Sequence, residues 1–71
     1  MVNTAKLQGL MRERKQTISS LSELTKLSKT GLFNKIHGKA EFLCSEVLII
    51  RQALNLSDDE FSLVFFNQNV E

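Results

Sequence analysis

Few residues in this 71-residue chain have a type and spacing that could do chemistry, and the chemistry they suggest is hydrogen bonding to bases. Lys29 and Thr30 would share the first turn of a helix starting after Ser28, and Asn34 would lie one turn further along the same face. A lysine donates to guanine O6 and N7, an asparagine pairs bidentately with adenine, and a threonine offers a hydroxyl and a methyl. The candidates for catalysis or metal binding are thin by comparison. His37 is the single histidine and falls near a helix end, where contact with a phosphate or C-terminal capping suits it better than proton transfer. Cys44 has no Cys or His at ligand spacing, so no metal is expected, and it reads as a small buried residue. Asp58-Asp59-Glu60 suits the positive end of a helix dipole. A paired-carboxylate active site would need a pocket that so short a chain rarely encloses. Neither an enzyme nor a cofactor is expected.

The elements that must position these residues are helices. Asn3 or Thr4 can cap a first helix in which Leu7, Leu10 and Met11 recur at 3/4 spacing up to about Arg14 and Lys15. Thr17 can cap a second, with Leu21 and Leu24 facing inward, ending near Lys26. Ser28 can cap a third, carrying Leu32 and Ile36 one turn apart, and Gly38 supplies the left-handed residue that stops it. A fourth runs from about Cys44 to Leu54. Ser57-Asp58-Asp59-Glu60 forms a capping box for a fifth, with Phe61, Val64 and Phe65 facing the core. With no strand alternation and no proline, the expected fold is all-α: a compact bundle of four to five short helices, one domain over residues 1–71. Within it, Thr17–Gly38 has the form of a helix-turn-helix. Leu21, Leu24, Leu27, Leu32 and Ile36 are its apolar set and Ser22 is the small residue at the close approach.

Composition agrees with a globular chain: 42% hydrophobic residues and a mean hydropathy of −0.10. No apolar run is long enough to cross a membrane, and no basic segment followed by an apolar stretch announces secretion. One cysteine excludes an internal disulfide and suits a reducing cytoplasm. Net charge is only +1, but it is unevenly placed. Residues 1–40 hold eight basic and two acidic side chains, for +6; residues 41–71 hold one basic and six acidic, for −5. The half that contains the helix pair is the half suited to a polyanion.

In the segments KLQGLMRERK, TISSLSELTKLSKTGLFNKIHGKAEF and LIIRQALNLSDDEF the chain resembles the lambda/434-type repressor and Cro family of helix-turn-helix regulators. The likeness is greatest to short Cro-like proteins of temperate phages and prophages of Gram-positive bacteria. Thr17, Leu21, Leu27-Ser28, Leu32, Ile36 and Gly38-Lys39 meet the family pattern. The resemblance implies a transcriptional regulator of a lysis–lysogeny switch. It would bind double-stranded operator DNA as a dimer in the cytoplasm of a bacterial host, with no small-molecule substrate. By analogy Lys29, Thr30 and Asn34 fall where the family reads bases, and Thr17, Ser28, Lys35 and Lys39 where it touches phosphates. Lys26 replaces the usual turn glycine, at about 1 kcal/mol, and can reach a phosphate instead. Ile18 stands where relatives often carry glutamine. Gly31 costs the third helix about 1 kcal/mol but admits close approach of DNA.

Phe33 is left over. It points about 100° away from Leu32 around the helix, toward the exposed side. Three uses are open to it: tucking against Phe42 or the loop after Gly38, packing on a thymine methyl, or anchoring a partner protein. The last helix also has more apolar residues than one face needs, which leaves Leu63 or Phe66 for a weak homodimer. A second function therefore stands beside operator binding: an antirepressor that grips the phage's partner repressor and alters that protein's DNA binding.

Overall fold

Each helix begins where the sequence supplies something to satisfy unpaired backbone amides. The computed structural model describes residues 2–66 and contains α1 (Thr4–Glu13), α2 (Ile18–Thr25), α3 (Lys29–Ile36), α4 (Cys44–Leu54) and α5 (Asp58–Phe65), with no strand among the described residues. The single-domain span expected over 1–71 reaches past the described residues at both ends. Asn3 caps α1 by accepting from the Lys6 amide, Thr17 caps α2 through Ser20, Ser28 caps α3 through Gly31, and Ser57 caps α5 through Glu60. α4 lacks a capping side chain at Leu43, so Glu46 reaches back instead and accepts from the Leu43 amide at 2.9 Å. The helices stop in left-handed turns at Lys15, Lys26, Gly38 and Asn55. At Lys15, Gly38 and Asn55 the next amide reaches back to the carbonyl five residues before it, as in a Schellman closure.

The apolar faces converge on one core. Leu7, Leu21, Leu32, Ile36, Ile50, Leu54 and Val64 are essentially inaccessible, with Leu10, Met11, Leu56 and Phe65 close behind. Val2, Ile18, Leu27, Phe42, Val47, Ala53 and Phe61 pack partly buried against them. α2 lies against both α3 and α4, and α1 lies against α5. A polar contact ties the two groups, and two more reinforce the α1–α5 pair. The Thr4 hydroxyl donates to the Ile36 carbonyl at 2.7 Å, joining the start of α1 to the end of α3. The Asn3 amide donates to the Val64 carbonyl at 2.7 Å. Arg14 grips both carboxylate oxygens of Glu60 at 3.0 and 3.2 Å, linking α1 to α5.

Two core expectations are corrected. Leu24 does not face inward: half of its surface is open, and Thr25 takes the buried place one turn after Leu21. A threonine can do so because its hydroxyl donates to the Leu21 carbonyl at 2.7 Å, which removes the cost of burying it. Cys44 is exposed at the first position of α4 instead of buried.

Candidate nucleic-acid interface

The geometry of the Thr17–Gly38 segment follows from how α2 and α3 are joined. Lys26 (φ 68°) takes the left-handed conformation that ends α2, and its amide closes onto Ser22. The Ser22 hydroxyl then donates to the Leu27 carbonyl across the turn, and Leu27 packs partly buried against the core. Ser28 follows in extended conformation and starts α3. The buried pair Leu32 and Ile36 fixes the inner face of α3. Thr30 and Asn34 lie opposite that pair, with His37 and Phe33 toward the flank, and Lys29 is exposed where α3 begins, on the Leu32 side.

The structure places the expected base-reading residues together. Lys29 and Thr30 are exposed in the first turn of α3, and Asn34 is half-buried one turn on. α3 carries no acidic residue, and neither α2 nor α3 has one in its first turn, whereas α5 has Asp58, Asp59 and Glu60 there. The positive ends of α2 and α3 are therefore not neutralised by their own side chains. Gly31 sits over the Ser28 cap: a Cβ added there would lie 3.0 Å from the Ser28 hydroxyl oxygen.

The six expected phosphate contacts separate into two groups. Thr17 and Ser28 are exposed at the N-caps of α2 and α3, and Lys26 and Lys39 are exposed at the turns that follow these helices. Lys35 and His37 are drawn elsewhere. The Lys35 ammonium lies 2.6 Å from a Glu46 carboxylate oxygen, and the two side chains keep only 16% and 9% of their surface open. Burial works against the charge on Glu46, yet the Lys35 ammonium and the Leu43 amide outweigh it and hold the carboxyl below its ordinary value. Lys35 thus fastens α3 to α4. The His37 imidazole lies 3.3 Å from the Gln8 amide of α1 and stacks on Phe33, ring centroids 4.1 Å apart.

Phe33 is 44% exposed. It does not tuck against Phe42, whose ring instead meets Phe65 edge-on at 5.6 Å. Leu63 and Phe66, the candidates for a partner protein, are about half exposed on and just after α5, while Val64 and Phe65 are buried and Phe61 is partly so. Three positioning residues escaped sequence reasoning: Thr4, Gln8 and Glu46. Only Glu46 left a signal, since a glutamate at the third position of a helix commonly reaches back to the N-cap amide.

An apolar hollow of about 560 Å³ opens between the Gly38–Cys44 loop, α4 and α5. No group of acidic, histidine or cysteine side chains that could hold a metal occurs among the described residues, and none of their helices is long and apolar enough to cross a membrane. Compared with known protein families, curated proteins and solved structures, the chain matches none.

Proposed function

We propose that this chain is a sequence-specific DNA-binding regulator of the Cro type, acting in a phage lysis–lysogeny switch within the bacterial cytoplasm. In this reading α2 and α3 form a helix-turn-helix, and α3 enters the major groove with Lys29, Thr30 and Asn34 at base edges. Thr17, Ser28, Lys26 and Lys39 hold the flanking phosphates. The observation that carries the proposal is the accessible surface of α3: free of acids, with Lys29 and Thr30 exposed and Asn34 half-buried, it presents one cation, one hydroxyl and one amide over two turns. A single head of this size reads few base pairs, so two copies would occupy half-sites about 34–36 Å apart. Leu63 and Phe66 on the α5 side are the surface for that pairing.

A second reading is favoured by the six large apolar side chains left open among the described residues, including Leu24, Phe33, Leu63 and Phe66. An antirepressor would use such a surface to grip a partner repressor and change that protein's DNA binding.

A gel-shift titration over the promoter region of the encoding phage separates the two, run with and without the partner repressor at two salt concentrations. An operator-binding regulator shifts the duplex alone and keeps doing so under excess competitor DNA. A modulator shifts nothing alone but changes the complex formed by the repressor. Binding that disappears under competitor and falls steeply with salt would mark charge attraction without sequence reading, and would sink the first proposal.

A further inference from the structure

Among the outward residues of α3, Phe33 has no part in hydrogen bonding or phosphate contact, and it lies between those that do. Helical spacing puts it one turn after Lys29 and one turn before His37, and directly before Asn34. Its ring is held from one side by the His37 imidazole at 4.1 Å. That imidazole is held in turn by Gln8, 3.3 Å away on α1. An exposed phenylalanine normally has rotamer freedom to lose on binding; here the His37 imidazole, itself held by Gln8, already limits it. The open 44% of Phe33 is therefore a preset apolar ledge inside a polar face.

We propose that this ledge is a specificity element that takes the 5-methyl group of a thymine in the major groove. The assignment rests on the DNA-reading proposal and adds a contact to it. Among the groups that unmodified base pairs present in the major groove, the thymine methyl is the apolar one that an aromatic side chain can cover. The surroundings favour nucleic acid over an apolar protein partner as the occupant. Lys29 stands one turn before Phe33, Lys26 and Lys39 are exposed at the turns on either side of α3, and α3 itself has no acid. A neutral apolar partner would have to desolvate or skirt those cations, whereas a duplex pairs with them.

The test starts from duplexes enriched by the purified full chain from a random-sequence pool. Each thymine is then replaced singly by deoxyuridine, which keeps the O4 acceptor and loses only the methyl. Binding should weaken about four-fold at one thymine per half-site, the value of one buried methyl-sized group, and 5-methylcytosine in place of an unmodified cytosine there should recover part of the loss. Phe33→Ala should bind the thymine and uracil duplexes equally, and Phe33→Leu should keep a reduced difference. Helical circular dichroism checks that both variants fold, and the comparison on the unmutated chain needs neither of them. Sequence-selective binding that ignores every thymine-to-uracil change, or an undiminished difference in Phe33→Ala, overturns the methyl contact and leaves DNA reading standing. A pool in which no sequence is enriched over competitor overturns DNA reading, and the methyl contact with it.

Discussion

Removing the Lys35 charge distinguishes a structural tie from a DNA contact. In Lys35→Met the stem remains and the ammonium 2.6 Å from Glu46 is lost. Glu46 would then keep only the Leu43 amide as partner, with 9% of its side-chain surface open to water. Stripping one partner from a buried ion pair costs about 3–5 kcal/mol. The retained amide bond and the 16% exposure on the Lys35 side place the cost near the lower end, about 3 kcal/mol. In a domain of this size 1 kcal/mol lowers Tm by about 4–8 °C, so the midpoint should fall by about 12–24 °C. Replacing both partners, as Lys35→Met with Glu46→Leu, removes the stranded carboxylate and should recover most of that loss. The assay is thermal and urea unfolding at neutral pH for the four members of the double-mutant cycle. The acid limb gives a second readout. Glu46 titrates below its ordinary 4.5 in the folded chain, so its contribution is complete above that pH and is lost as pH falls through the lowered value. Lys35→Met, with less of this contribution to lose, should show a shallower acid decline. If Lys35→Met melts with the unmutated chain and instead weakens duplex binding while reducing the salt slope by about 0.9, the tie between α3 and α4 is refuted and Lys35 touches a phosphate.

Three other outcomes follow from the same geometry. Lys29→Ala and Asn34→Ala should each lose about 1–3 kcal/mol of duplex affinity and relax the base preference at one position, read by titration against the selected sequence and its single-base variants, with Tm almost unchanged because Lys29 is exposed and Asn34 half-buried. Leu63→Ser with Phe66→Ser should leave helicity intact, since both side chains are about half exposed. Sedimentation at tens of micromolar should then show monomer where the unmutated chain shows dimer; monomer in both would remove α5 as the pairing surface. Lys26→Gly should raise stability by about 1 kcal/mol in urea unfolding, because glycine takes the φ of 68° without the penalty a side chain incurs.

The helices were legible because their signals are local. Asn3, Thr17, Ser28 and Ser57 each stand just before an apolar 3/4 pattern and each caps the helix that follows. The outer face of α3 was legible in part for the same reason: once Leu32 and Ile36 point inward, spacing sends Thr30 and Asn34 outward, whereas Lys29 shares the Leu32 side and is exposed because it begins the helix. Leu24 was misread because apolar type outweighed position. Leu24 and Thr25 are three and four residues after Leu21, and the threonine fits the buried place once its hydroxyl finds the Leu21 carbonyl. Lys35 was misread because its partner lies across a loop and a helix turn at Glu46, where no spacing rule on α3 could find it. The Phe33–His37 stack follows i, i+4 spacing, but Gln8, which holds it, comes from α1, 29 residues before His37 in the chain.

The bonds made by Asn3 and Thr4 have a mechanical consequence. The Asn3 amide holds the Val64 carbonyl of α5, and the hydroxyl of the next residue holds the Ile36 carbonyl of α3. Two consecutive residues therefore span the helix proposed to read DNA and the helix proposed to pair two copies. It acts as a gauge block: the offset between reading head and pairing surface is set at this point, and in a two-fold dimer any slack in it enters twice. Thr4→Val keeps the shape of the side chain and removes the hydroxyl, which loosens the block without emptying the core. Such a dimer would tolerate half-sites moved by a base pair that the unmutated protein rejects.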